Sequence, residues 1–179
     1  MLRRMAASHA PAYFGCAPLT ARRSMSPATV REATLTIAGI LKSKGSQVIS
    51  VRTHDGVASI TRTLAQHRIG AVLVVERDGT VLGIVSERDI VRALASLGEG
   101  VTRMTAGQLM TRVLFTVSPR SKVTDALQLM TDRRIRHLPV LEEDGSLAGM
   151  ISIGDLVKAR IAEAEREAEE LKHFVTHTG

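Results

Sequence analysis

The sequence predicts an α+β protein of two β-α-β-β-α repeats, packed about a pseudo-twofold axis and followed by a long C-terminal helix. Three observations carry this expectation. A shift of 66 residues aligns positions 48–92 with 114–158 without a gap, and self-similarity at a fixed period marks a duplicated supersecondary unit. Within each copy the apolar residues switch between strand and helix periods in the same order. The composition, 44% apolar and 23% charged, is that of a globular protein, and 2% aromatics with no Trp require an aliphatic core.

Each repeat opens with a short apolar strand, VISV (48–51) or LFTV (114–117). An amphipathic helix follows, VASITRTLAQHR (57–68) or VTDALQLMTDRR (123–134). The second strand, GAVLVVE or HLPVLEE, ends at Asp78-Gly79 or Asp144-Gly145, a hairpin signal because glycine accepts the positive φ of a tight turn. The third strand runs into the second helix through GIVSERDIV (83–91) or GMISIGDLV (149–157). Three strands cannot bury both faces alone, so the copies are expected to pack on each other. Ala106-Gly107 and Leu109 echo Ala38-Gly39 and Leu41, which gives each repeat a lead-in helix. The boundaries are then 30–97 for the first repeat with its lead-in, 98–160 for the second with its lead-in, and 161–179 for the helix extension. In that last helix Val157, Ile161, Ala164, Ala168, Leu171 and Val175 form a heptad-like stripe, suited to a homodimer or to a helix lying on its own domain.

Charge is concentrated at one end. Arg3, Arg4, Arg22, Arg23 and Arg31 stand in residues 1–31 with no acid, which leaves 19 of the 24 basic residues against all 18 acids in the rest. The folded part therefore has no general footprint for nucleic acid. Residues 1–29 read as a disordered leader or as a transit peptide, being rich in Arg, Ala and Ser and free of acids. Met25 is an alternative start. The expected compartment is a bacterial cytoplasm, with the mitochondrial matrix as the alternative. The single Cys16 excludes a disulfide framework within the chain and a cysteine zinc cage, and no run of about 18 apolar residues spans a membrane.

The tandem elements GIVSERD and GMISIGD, with RIRHLPV at the matching place in the second copy, resemble paired cystathionine-β-synthase (CBS) domains, the Bateman module. The resemblance covers about residues 30–160 and is similar to small two-CBS proteins of bacteria and of plant mitochondria. It implies a non-catalytic regulatory module that binds an adenosine-containing ligand (AMP, ATP, NAD(H) or S-adenosylmethionine) between the repeats, has no obligatory cofactor, and acts through a homodimer or an effector protein.

An adenine nucleotide needs a diol acceptor, phosphate donors and an apolar slot. Asp89 and Asp155, one turn into their helices, are the expected ribose acceptors. Ser86 and Ser152 stand at helix starts, where free backbone N–H groups favour an anion. Arg136 is the leading phosphate residue, followed by His137, with Arg134 beside them and Arg88 from the first copy. Gly70 and Ala71 leave room for base or sugar, and Ile49, Ser50, Phe115, Thr116 and Pro139 complete the expected lining. Read without a ligand, each serine and aspartate is a capping box worth about 1 kcal/mol; against that reading, Asp is shorter than the Glu or Gln that usually closes the box. Gly154 stands where the first copy has Arg88, and Ile153 where it has Glu87, so one stronger and one weaker site are expected. A nucleotide-hydrolysing enzyme is the first competing reading, but the sequence has no P-loop, no Ser-His-Asp set in recognisable context and no paired metal-ligand spacing. His54, His67 and His173 are scattered. The other is nucleic-acid or membrane binding through the arginine-rich tail.

Overall fold

A computed structural model describes residues 35–177, with side chains through residue 173. The leader 1–29, with Cys16 and Met25, lies outside the described residues, as does the side chain of Val175. The first repeat comprises β1 (Ser50–Val51), α2 (Val57–His67), β2 (Ala71–Val75), β3 (Val81–Ser86) and α3 (Glu87–Leu97), preceded by α1 (Ile37–Lys44). A 3-10 turn at Gly98–Arg103 and the short α4 (Ala106–Leu109) lead to α5 (Val123–Arg133), β4 (His137–Leu141), β5 (Leu147–Ser152) and α6 (Ile153–His177).

The two hairpins are built alike. β2 pairs antiparallel with β3 in the register Ala71↔Ser86, and β4 with β5 in the register His137↔Ser152. Gly79 and Gly145 take φ of 90° and 82°, and the preceding Asp78 and Asp144 accept from the amides of Thr80 and Ser146. The aspartate thus fixes each turn with a local side-chain bond while the glycine supplies the backbone angle.

The first strands differ between the copies. β1 lies parallel to β2, and Leu73 N–H donates to Ile49 C=O at 3.4 Å. The expected strand over 114–117 is reduced to one parallel bridge, Val117↔Val140, held by Val117 N–H to Pro139 C=O and Leu141 N–H to Val117 C=O. Pro139 occupies the place of Leu73 and has no N–H to continue the ladder toward residue 115. The segment before Val117 is therefore released from the sheet.

The lead-in segments exchange repeats. In sequence each precedes its own copy, whereas in space each packs on the other. The amides of Ile37 and Ala38 donate to the carbonyls of Ser121 and Pro119, and Val123 N–H to Leu35 C=O. The mirror set is Ala106 N–H to Asp55 C=O, Gly107 N–H to Thr53 C=O and Val57 N–H to Met104 C=O. Accordingly Ile37 and Ile40 sit in one core with Val123, Met130, Leu138, Ile151 and Leu156, while Ala106 and Met110 sit in the other with Ile60, Leu64, Val72 and Val85. These matched bonds define the pseudo-twofold relation. Both cores are aliphatic, and no polar or charged residue is buried among the described residues.

α6 packs through Ile153, Leu156 and Ala159. The expected stripe lies off that face: Val157, Ile161 and Leu171 are exposed, as are Ala164 and Ala168.

Candidate functional site

Each serine stands at the N-cap of its helix, and each aspartate three residues on reaches back to it. Asp89 Oδ2 accepts from Ser86 N at 2.8 Å and from Ser86 Oγ at 2.6 Å, and Ser86 Oγ accepts from Asp89 N at 3.4 Å. Asp155 and Ser152 repeat this set, with 2.8, 2.9 and 3.3 Å. Asp is thus long enough to close the box, because one oxygen serves both the amide and the hydroxyl of the N-cap; the expectation that it is too short is corrected. The helix starts are also less available to an anion than expected. Beyond those bonds, Glu87 N–H donates to Gly70 C=O and Ile153 N–H to Arg136 C=O. An anion at either start would meet fewer free backbone N–H groups and would draw more of its donors from side chains.

A cavity of about 590 Å³ opens between the repeats. Gly70, Ser86, Arg88 and Asp89 line it from the first, and Phe115, Arg134, Arg136, His137, Pro139 and Ser152 from the second. Five residues expected in the site lie outside this lining. Ile49 packs against the first core, Ser50 is an exposed β1 residue, and Ala71 is fully buried in β2. Thr116 is exposed, and Asp155 is engaged by Lys44, whose Nζ lies 2.6 Å from Oδ2.

The cavity also holds residues that the sequence reading did not select. Arg92 and Arg133 raise the lining to five arginines against Glu87 and Asp89. Helical period was the available signal for Arg92, four residues after Arg88 and on the same face. Val113 and Leu114 enter because Pro139 ends the ladder beside them, and Ile84, Ile135 and Ile153 complete an apolar wall. The Arg133 guanidinium lies 4.8 Å over the Phe115 ring, a cation–π stack. Arg88 reaches across the cleft to donate to Arg134 C=O at 3.0 Å. Arg134 itself, with φ 53°, caps α5 in the left-handed region, as Arg68 with φ 52° caps α2. For a residue with a Cβ this costs about 1–2 kcal/mol, and such strain gathers at ligand clamps.

His137 stands where the repeats meet. A Cβ on Gly70 would come within 3.1 Å of its Cε1, so glycine is what lets the ring lie against the first repeat. Burial pushes the imidazole below its ordinary pKa; Arg136 pushes the same way, and Asp155 and Glu87 oppose both. A lowered histidine pKa means that the fold favours the neutral ring. Its contribution is complete above the unfolded value of about 6.5 and is lost as pH falls through it and on to the lower folded value. The urea midpoint is expected to drop between pH 7.5 and 5.5, and His137→Gln to flatten that drop; an unchanged slope in the variant would exclude this role. At Asp155 burial works against ionisation, but the Lys44 ammonium and the Ser152 amide and hydroxyl outweigh it and hold the carboxyl below its ordinary value.

No group of three or more metal-ligating side chains occurs among the described residues, and no described helix is long and apolar enough to cross a membrane.

The family model for the CBS domain matches residues 44–96 and 106–162. CBS domain-containing protein CBSX3, mitochondrial, of Arabidopsis thaliana is 36% identical over 163 residues, 85% of this chain and 79% of its own. The crystal structure of a CBS-domain-containing protein from Agrobacterium tumefaciens matches with a TM-score of 0.69 and 39% identity, over 73% of this chain and 96% of its own. CBSX2, crystallised in complex with AMP, shares the fold at a TM-score of 0.60 and 22% identity, over 73% and 98%. With its two matched segments, duplicated hairpins and paired serine–aspartate caps, the chain belongs to the CBS-domain family and carries two CBS domains in tandem.

Proposed function

We propose that the cleft between the two domains binds an adenosine-containing nucleotide and that the protein acts as a non-catalytic sensor. CBS-domain proteins act as regulatory modules, and CBSX2 holds AMP in its crystal structure. The observation that carries the reading for this chain is the composition of the cavity. Its volume of about 590 Å³ falls within the roughly 300–1,000 Å³ of small-molecule sites. Asp89 offers a diol acceptor, an aliphatic wall with Phe115 offers a slot for the base, and five arginines offer phosphate donors. Five guanidiniums against two carboxylates suit a polyphosphate, ATP or a dinucleotide such as NAD(H), better than a single phosphate. Binding would draw α3 and the Arg133–His137 junction together. A second copy of the chain or an effector protein would read that shift through the exposed apolar residues of α3 and α6, Val91, Leu94, Leu97, Val157 and Ile161. The mitochondrial relative CBSX3 is in keeping with a transit-peptide reading of the leader.

A thermal-shift panel of AMP, ATP and NADH tests this. At a hundred times Kd a ligand adds about 2.7 kcal/mol, which raises the midpoint by roughly 5–10 °C for a chain of this size. Asp89→Asn keeps an oxygen for the Ser86 amide but loses the carboxylate, so its own midpoint should stay near wild type while the ligand shift disappears. Equal shifts in wild type and variant would refute the site. Sedimentation of the same samples reports whether a dimer takes part, and product analysis of the ATP incubation separates sensor from hydrolase.

A further inference from the structure

We infer that α6 is the docking surface for a second copy of this chain, and that the two α6 helices run side by side in the same direction as a two-stranded coiled coil over residues 157–172. The second copy is that of the proposed signalling step, and its docking needs no nucleotide.

α6 is 25 residues long, yet its own core holds it only near its start, through Ile153, Leu156 and Ala159. After Leu156 no described residue of the helix is buried. A helix in a folded protein gets most of its stability from the packing of an apolar face, and the apolar face that α6 carries past its core lies in water. Val157 is 44% exposed, Ile161 55% and Leu171 68%. With Ala164 and Ala168 these residues are spaced 4, 3, 4 and 3, the period of a coiled-coil seam. Ile161 and Ala168 take the a positions, and Val157, Ala164 and Leu171 the d positions. A β-branched residue at a and a leucine at d favour two strands, and the alanines let the helix axes come close.

The flanking charges choose the partner and the direction. Lys158, Glu165 and Lys172 fall at e, and Arg160 and Glu167 at g. In a parallel pair each g residue faces the next e residue of the other helix, so Arg160 meets the second copy's Glu165, and Glu167 meets its Lys172. The twofold axis repeats both contacts, and every pair is attractive. The antiparallel pairing that uses the same stripe sets Ile161 opposite Leu171 and Ala164 opposite Ala168. It would face Glu165 with Glu165, Glu167 with Glu167 and Lys158 with Lys172, and every pair is repulsive. Arg160 already pairs with Glu163 of its own chain, and the guanidinium fork has donors for both carboxylates. The helix is thus complementary to a copy of itself in one direction and not in the other.

The test is sedimentation equilibrium of the full chain without nucleotide, on wild type, Leu171→Asp and two charge-reversed variants, Arg160→Glu/Glu167→Lys and Glu165→Lys/Lys172→Glu. Wild type should be a dimer, and Leu171→Asp a monomer at the same concentration. Each charge-reversed variant alone brings like charges together and should weaken the dimer by roughly tenfold or more. Mixed in equal amounts, the two should recover the wild-type affinity, because every contact between g and e is again attractive. All the substituted positions are exposed, so hydrogen-exchange protection of β2 and β4 should stay as in wild type and separate a lost dimer from a lost fold. A monomeric wild type, a dimer indifferent to Leu171→Asp, or charge-reversed variants that fail to recover on mixing would overturn the inference. So would an Arg160→Glu/Glu167→Lys variant that associates as wild type does, since an antiparallel pair would have as many like-charged contacts after the change as before it. None of these results depends on whether the cleft binds a nucleotide.

Discussion

Ile37→Ala is expected to loosen the second repeat, although Ile37 stands ahead of the first. Its side chain is fully buried among residues of α5, β4, β5 and α6. Truncating a buried isoleucine to alanine removes apolar contact and leaves a cavity, together costing about 2–5 kcal/mol. For a chain of this length that lowers the melting midpoint by roughly 10 °C. The location of the effect matters more than its size. Hydrogen exchange should accelerate first in α5, β4 and β5, and Met110→Ala should do the reverse, accelerating exchange in α2, β2 and β3. Were Ile37→Ala to loosen residues 50–97 instead, the exchange of lead-in segments would be wrong.

Gly83→Val is expected to do comparable damage by addition. A Cβ at this position would lie 2.8 Å from the carbonyl oxygen of Thr111 and 2.9 Å from Met110 Sδ. Thr111 is not free to withdraw, because its N–H and C=O are both bonded to Ile84. The branched side chain must break that bridge or bulge β3, at about 3 kcal/mol if the response resembles other overpacked cores. Thr111 and Ile84 both line the cavity, so the nucleotide shift should fall with the midpoint. Gly149→Ala provides the comparison. There the nearest atom is Leu41 Cδ2, also at 2.8 Å, but the end of a leucine can rotate. Gly149→Ala should therefore cost clearly less than Gly83→Ala in urea unfolding, and the opposite order would show that the Thr111 contact is soft.

Much of the architecture was legible because a duplicated sequence states its pattern twice. The hairpins announced themselves through Asp78-Gly79 and Asp144-Gly145, and the helices through their apolar period. The exchange of lead-in segments was not legible. An amphipathic helix declares that it has an apolar face, but nothing in IAGILKSK says which of two aliphatic cores receives it. The shortened strand of the second copy could have been read: Pro139 in place of Leu73 removes the donor that β1 uses. In the site, the RIRH stretch stood out as a departure from the repeat, and Arg92 could have been found from helical spacing. The Asp155 contact could not, since Lys44 lies 111 residues away in the chain. The capping box was misjudged because side-chain length was weighed without the rotation that brings Asp Oδ2 under the N-cap amide.

The crossed lead-ins also set an order of events on the ribosome. α1 is made first, yet the fully buried partners of Ile37 and Ile40 lie between Val123 and Leu156. Those side chains stay in water until most of the chain has emerged. The first repeat waits less, needing only Ala106 and Met110 to close over Ile60 and Val85. Chains usually mature from the N-terminus as finished units; here neither copy can be completed from its own stretch of sequence, and a fragment cut at the boundary of the duplication carries the helix that belongs to its twin.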